Sequence, residues 1–304
     1  MFMDQSKPLL HRIRKHWDMY LMLVPALAFL ILFKYLPMWG IRIAFQDYNI
    51  FDPAGSAWVG LENFQELVAS KDFLNVLKNT LIISFYKIAI LFPMGIFVAL
   101  ILNEVHSLWY KKVVQTIIYI PHFLSWIVVA GIFTSILSTT NGLVNLMIKG
   151  FGGEAVNFIT PTWFRAVIVF SAGWKEVGWN AIVFIAAIAG VSQEMYEAAR
   201  MDGAGRLRQI WSITLPSILP TVVLMFILRI GSIMNAGTEQ ILAMYNPVVY
   251  DVGDVIGTYV YRIGLGKMDY SFTTAVGLFE SLVGFILVMM GNWFSRKFTG
   301  SSIW

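Results

Sequence analysis

The sequence predicts an all-α membrane protein with six transmembrane helices and both termini on the cytoplasmic side. Three observations carry this. Of 304 residues, 58% are hydrophobic and 13% charged, about half the ~25% of charged residues that clothes a soluble domain. Six apolar runs lie at about 20–35, 80–102, 113–137, 164–190, 214–234 and 272–294. The last five are each long enough to cross a hydrocarbon core of ~30 Å. Lys and Arg are unevenly shared between the two sets of loops, and their excess marks the cytoplasmic face.

The first run follows a basic segment with Lys7, Arg12, Arg14 and Lys15. No small-residue cleavage site follows it, so a retained helix is expected rather than a leader. Lys34, Tyr35 and Trp39 stand at its far end as interface anchors. On one side lie the N-terminus, Lys111 and Lys112, then Arg200, Arg206 and Arg208, then Arg296 and Lys297, eleven cations in short loops. The opposite side holds six, Arg42, Lys71, Lys78, Lys149, Arg262 and Lys267, spread over longer loops. The expected organisation is a cytoplasmic basic N-terminus (1–19), a first transmembrane helix with its outer loop (20–78), and a core of five transmembrane helices (79–294). A polar loop at 192–212 interrupts that core, and 295–304 is a cytoplasmic tail. Lys149-Gly150-Phe151-Gly152-Gly153 reads as an outer turn, and the stretch 235–271 as a long outer loop folding over the entrance.

Several functions are disfavoured by what is missing. No cysteine is present, so disulfides and thiolate metal sites are impossible. Gly266-Lys267 is followed by Met268 and lacks the upstream glycine of a phosphate-binding loop, so the chain is not expected to hydrolyse ATP. His11, His16, His106 and His122 have no zinc spacing, and no catalytic triad or nucleophile elbow is visible. The chain is read as no enzyme, with no metal or cofactor of its own. A net charge of +4 is too small to suggest nucleic acid as a partner.

The polar loop is the most informative stretch. It runs Glu197-Ala198-Ala199-Arg200-Met201-Asp202-Gly203-Ala204-Gly205-Arg206 and closes at Ile213-Thr214-Leu215-Pro216. Ser192 is a fitting helix N-cap, and Glu194 and Glu197 suit the positive end of a helix dipole. Asp202-Gly203 invites a sharp turn, after which a second short helix should start near Gly205. This pattern resembles the coupling loop of ABC importer permeases, the subunits that form the pathway while separate ATPases drive it. The likeness spans roughly Asn79 to Trp293. One relaxed position is Ile210, where carbohydrate permeases often carry Phe.

Further residues resemble the carbohydrate branch of that family, in particular permeases for oligosaccharides and polysaccharides that work with lipoprotein binding proteins. They are Lys34-Tyr35-Leu36-Pro37-Met38-Trp39-Gly40, Ala44-Phe45-Gln46-Asp47-Tyr48, Trp58-Val59-Gly60-Leu61-Glu62-Asn63-Phe64, Tyr119-Ile120-Pro121-His122-Phe123-Leu124-Ser125-Trp126 and Gly178-Trp179-Asn180. The resemblance implies a type I importer permease fold in a bacterial cytoplasmic membrane. It also implies a second, similar permease as heterodimer partner, two ATPase subunits carrying ATP and Mg, and an extracytoplasmic binding lipoprotein. On it, Glu197, Ala198, Ala199, Asp202 and Gly203 are the ATPase-coupling residues.

The candidate substrate path rests on polar residues at membrane depth. Trp174, Lys175, Glu176, Trp179 and Asn180 stand near the middle of the fourth run. Charged side chains there are costly unless paired or wetted. Lys175 and Glu176 are adjacent, about 100° apart on a helix, so they make a poor pair with each other. They either face a watery cavity or bind neighbouring helices together. Gly178 would let a ligand approach the backbone closely, Trp179 would stack on a sugar ring, and Asn180 would bond its hydroxyls. Lys87, Arg229, Asn235 and Glu280 are weaker candidates; Pro93 and Pro121 are expected to kink their helices; His122 is expected in the core or at an interface. A competing class, a secondary transporter or channel using Glu176 and Glu280, would move its solute without ATPases; no internal repeat supports it.

Overall fold

A computed structural model describes residues 17–299. The basic residues Lys7, Arg12, Arg14 and Lys15, and the tail from 300 onward, lie outside the described residues. The described residues are mostly helical. Among them, four helical runs are long and apolar enough to cross a membrane, or six if two sharply bent pairs each count as one span.

The first helix, α1 (Trp17–Leu30), continues through a wider π turn (Ile31–Tyr35) and a tighter 3₁₀ segment (Leu36–Phe45). The run therefore extends ten residues beyond the expected end at 35. Pro37 does not stop it, because a proline near the start of a new helical segment forfeits an N–H that has no partner there anyway. No residue of α1 is buried. A two-residue hairpin then pairs Gln46 with Trp58 and Asp47 with Ala57, as strands β1 (Gln46–Asp47) and β2 (Ala57–Trp58). Phe45 stacks on Trp58 at 5.7 Å, and Asn63 Nδ2 donates to the carbonyls of Ala44 (2.9 Å) and Gln46 (3.1 Å).

Helix α2 (Glu62–Ala69) leads to α3 (Lys71–Glu104), which starts nine residues before the expected apolar run. Ser70 caps it, accepting from the Phe73 N–H at 3.2 Å. Pro93 sits inside this helix without ending it. The third expected span is broken: α4 (Leu108–Tyr119) and a short 3₁₀ turn at Ile120–Phe123 meet α5 (Trp126–Ile136) at 104°. Pro121 thus marks a corner rather than a kink.

After α6 (Leu143–Gly150), α7 (Phe164–Ala189) runs the depth of the core and packs along α3 more extensively than any other pair of elements. Helix α8 (Gln193–Met201) leaves it at 71°. The second short helix expected near Gly205 is α9 (Arg206–Gln209), but it does not stand alone. It passes through a π turn (Ile210–Thr214) into α10 (Leu215–Gly231) as one 26-residue run.

The stretch 235–271, expected as a loop over the entrance, forms part of the core. It folds into α11 (Thr238–Met244), α12 (Tyr250–Gly253) and α13 (Ile256–Gly264) before the last span, α14 (Tyr270–Thr299). Ile241, Val249 and Val255 are fully buried against Ile83 of α3, Val129 of α5, and Phe164 and Ile168 of α7. Asn79 of α3 ties this region down: its Nδ2 donates to the carbonyls of Asp251 (3.0 Å) and Asp254 (3.2 Å), while its Oδ1 accepts from Arg165 at 2.7 Å. Asp254 and Arg262 form an ion pair beside it. Burial opposes the charge on Arg262, but the Asp254 carboxylate outweighs this and holds its pKa above the ordinary value. Burial pushes the nearby Tyr245 hydroxyl up to about 12, so it adds no charge there at neutral pH.

Asn79→Ala would take its donor from the buried Asp254 carbonyl and one acceptor from the Arg165 guanidinium, while the Asp251 carbonyl keeps Asn75 and Arg165 keeps the Val252 carbonyl. The expected loss is about 2–3 kcal/mol, seen as a lower unfolding midpoint of the purified protein in detergent. An unchanged midpoint would mean that water replaces the amide.

Candidate functional site

Two regions of the sequence carried the functional expectations, and the structure places them at opposite ends of α7–α10. The first lies midway along α7. Lys175 is buried on α7, and its ammonium donates to the carbonyls of His122 (2.5 Å) and Leu124 (2.7 Å) at the corner between α4 and α5. Its neighbour Glu176 turns away from it, as the helical period requires, and meets Arg229 of α10 at 3.5 Å. The two adjacent charges therefore have separate partners.

Around them lie two adjoining cavities of about 510 Å³ and about 560 Å³. Both are lined by Trp126, Glu176, Arg229 and Glu239. The first adds His122, Lys175, Trp179 and Asn180; the second adds Ser84, Lys87, Asn235 and Thr238. Trp179 carries the His122 ring flat against one face, with centroids 4.1 Å apart and planes within 2°, and meets Phe123 edge-on at 5.7 Å. Trp179 remains 41% exposed, so an aromatic surface is left for a ligand. The lining as a whole suits a polyhydroxylated solute: aromatic faces for apolar C–H surfaces, with amide, carboxylate and ammonium groups for hydroxyls.

Four of the five expected path residues, Lys175, Glu176, Trp179 and Asn180, are brought together here. Trp174 is not. It is exposed on another face of α7, against the edge of Phe133 at 5.8 Å, and lines neither cavity. Gly178 also has a different use from the one expected. A Cβ there would run into the Ile118 carbonyl, so the glycine admits the backbone of α4 rather than a ligand.

Lys87, Arg229 and Asn235 enter the lining although the sequence ranked them lower. His122, expected in the core or at an interface, borders the cavity, with its Nδ1 buried and unpartnered. Glu239 was not anticipated; nothing in its local sequence separates it from any other loop acid. Glu280 sits apart, in a third cavity of about 400 Å³ between α10 and α14. Among the described residues no group of three or more His, Cys, Asp or Glu is placed to hold a metal ion.

The second region is the polar loop. Ser192 caps α8 by accepting from the Glu194 N–H at 3.3 Å. No residue of α8 is buried; Glu197 and Ala198 are exposed and Ala199 half-exposed. Asp202 and Gly203 turn the chain, with Gly203 at φ +75°, a conformation that side chains strain to adopt. Two bonds hold the loop to the span that follows: Tyr196 to Thr214 at 2.9 Å, and Gln209 Nε2 to the Ala204 carbonyl at 2.7 Å. The result is a short, exposed helix bonded to the run that continues into α10.

Comparison with known proteins agrees with this architecture. Residues 92–300 match the family described as the binding-protein-dependent transport system inner membrane component. The chain is 45% identical to the Bacillus subtilis polygalacturonan/rhamnogalacturonan transport system permease protein YteP, over 99% of this chain and 94% of that one. It is also 45% identical to Bacillus subtilis LplB, over 94% and 90% of the two chains. Among solved structures, a chain of a bacterial alginate ABC transporter, crystallised with an alginate pentasaccharide-bound periplasmic protein, superposes with a TM-score of 0.91 at 39% identity, over 98% of this chain and all of that one. The chain is a multi-pass protein of the cytoplasmic membrane and a translocation subunit rather than an enzyme, and it belongs to the family of binding-protein-dependent transport system inner membrane components.

Proposed function

We propose that this chain is one of two permease subunits of an ATP-driven importer for a carbohydrate, an oligosaccharide by preference. The observation that carries the reading is the polar, aromatic-lined cavity beside α7 in a chain so similar to a permease named for polygalacturonan and to a chain of an alginate ABC transporter. In this reading six spans leave both termini in the cytoplasm. A second homologous permease completes the pathway, and α1, with no buried residue of its own, packs against it. Two ATPase subunits bind ATP and Mg, and an extracytoplasmic binding lipoprotein delivers the sugar. The secondary-transport alternative is weakened because Glu176 is engaged with Arg229.

The coupling element is the helix Gln193–Met201 with its turn at Asp202-Gly203. Glu197 faces the ATPase cleft, while Ala198 and Ala199 keep the contact close. Because α9 and α10 are continuous, a push on this helix reaches Arg229 at the other end of the same run.

Co-purification of the chain with an ATPase subunit, and uptake of a galacturonate oligomer only when ATP is supplied, test the overall reading. Gly203→Pro forbids the positive φ of the turn, and its expected result is ATP hydrolysis uncoupled from uptake, or loss of the ATPase from the complex. Transport coupled as in the unmodified protein would remove the coupling assignment.

Trp179→Ala removes the aromatic surface. Uptake should fall about ten-fold, corresponding to roughly 1.4 kcal/mol of stacking, with assembly unchanged on size-exclusion chromatography. Normal transport by this variant would take Trp179 out of the path.

A further inference from the structure

The cavity lining holds three cations and two carboxylates: Lys87, Lys175 and Arg229 against Glu176 and Glu239. Arg229 and Glu176 neutralise one another at 3.5 Å. Glu239 stands in the first turn of α11, where the helix dipole favours a negative charge. The two lysines are different. Neither makes an ion pair with a carboxylate among the described residues. The Lys87 ammonium donates to the Ala236 carbonyl (2.8 Å) and to Gln240 Oε1 (2.6 Å). The Lys175 ammonium donates to the His122 and Leu124 carbonyls.

An ammonium has three N–H donors, so each lysine keeps one beyond its two neutral acceptors. Both side chains are more than nine-tenths buried, at 4% and 7% exposure, where an uncompensated charge is costly. Two carbonyl acceptors need two donors, and an uncharged amide provides those without burying a charge. The Lys175 ammonium also lies 5.3 Å from the Trp126 ring, and Glu176 and Glu239 line the same cavities, yet among the described residues neither ammonium has a carboxylate within ion-pair distance. Each charge faces a cavity that has room for a counter-ion.

We propose that Lys87 and Lys175 are two separate carboxylate-binding positions along the translocation path, each offering its third N–H to a uronate of a passing acidic oligosaccharide. This rests on the carbohydrate-import reading and adds to it which residues recognise the charge. Lys87 borders one cavity and Lys175 the other, with the neutralised Arg229–Glu176 pair common to both. Successive uronates along a sugar chain can occupy two such positions in turn. Several sites of moderate strength favour entry without trapping the solute. A neutral sugar of the same size can offer the ammoniums hydroxyl oxygens but no opposing charge, and so makes the weaker contact.

The test uses the assembled transporter with its partner subunits, free of binding protein, titrated with trigalacturonate and with its fully methyl-esterified form. The expected result is tighter binding of the acid than of the ester. Lys87→Gln and Lys175→Gln, which keep amide donors for the carbonyls, should each weaken the acid by roughly ten-fold or more and the ester by much less. Lys87→Arg and Lys175→Arg should keep the preference for the acid.

Equal losses for acid and ester, or glutamine variants that bind the acid as the unmodified complex does, would overturn the proposal. A glutamine variant that fails to assemble leaves a second reading: binding of trigalacturonate to the unmodified complex should weaken steeply with added NaCl while the ester's does not, and salt-independent binding of the acid would also overturn the proposal. If neither the acid, the ester nor a neutral oligosaccharide binds the unmodified complex, the carbohydrate reading falls as well, an outcome distinct from binding without charge preference.

Discussion

A helix that breaks inside a membrane exposes carbonyls that lipid cannot satisfy. The break between α4 and α5 depends on a supply of donors from elsewhere, and Lys175 of α7 provides them to the carbonyls of His122 and Leu124. On the far side of the corner Ser125 restarts the helix, accepting from the Val128 N–H at 3.3 Å. The same contact organises the site. It holds His122 flat over Trp179, brings the ammonium to 5.3 Å from the Trp126 ring, and leaves Glu176 free to meet Arg229. One turn further along α7, Gly178 lets the α4 backbone close in at Ile118. The corner is therefore clasped to α7 from two successive turns, and the cavity is what remains beside it.

The opposite wall is built by segments that look like loop. After α10 ends, Ala236 and Gly237 take up φ of 28° and 86°, reversing the chain sharply so that α11 turns back into the core. Gln240 of α11 is fully buried; it accepts from Lys87 and donates to Ser171 and to the Ile168 carbonyl of α7, each at 2.7 Å. A single amide thus joins three separate parts of the chain. A lysine on α3, a glutamine on α11 and a serine on α7 form one connected network at the edge of the cavity. Such networks are rigid when fully paired.

These two walls meet the exposed polar loop through α10. The run Arg206–Gly231 begins at the exposed loop and ends beside the cavity, and the π turn at Ile210–Thr214 is the one local departure from regular helix along it. The bond from Tyr196 to Thr214 bridges α8 to that turn. The exposed helix α8 is in this way connected, through one helical run, to Arg229, the residue that pairs with Glu176.

Much was legible in the chain itself. The apolar runs, the capping serine at 192 and the Asp202-Gly203 turn are local features, set by side-chain polarity and backbone freedom within a few residues; the structure places the serine and the turn where the sequence suggests, but lengthens the first two runs and breaks the third. Lys175, Glu176, Trp179 and Asn180 stood out because charge and amide groups at membrane depth need a reason. Other features depend on partners distant in sequence. Trp174 and Trp179 lie five residues apart in similar surroundings, yet only the latter faces the cavity. Gly178 reads as a gap for a ligand until Ile118, sixty residues earlier, is seen to fill it. Pro121 announces a disturbance, but a 104° corner rather than a kink requires Lys175 to pay for the freed carbonyls. The stretch 235–271 carries too many Tyr, Asp and Gly residues to read as core, and enters it because Asn79, Arg165 and Lys87 satisfy its backbone. Local polarity and backbone preference determined where the helices and turns form; which polar group meets which was decided by long-range packing, since a side chain's partner in a medium without water is whatever the fold brings within hydrogen-bond reach.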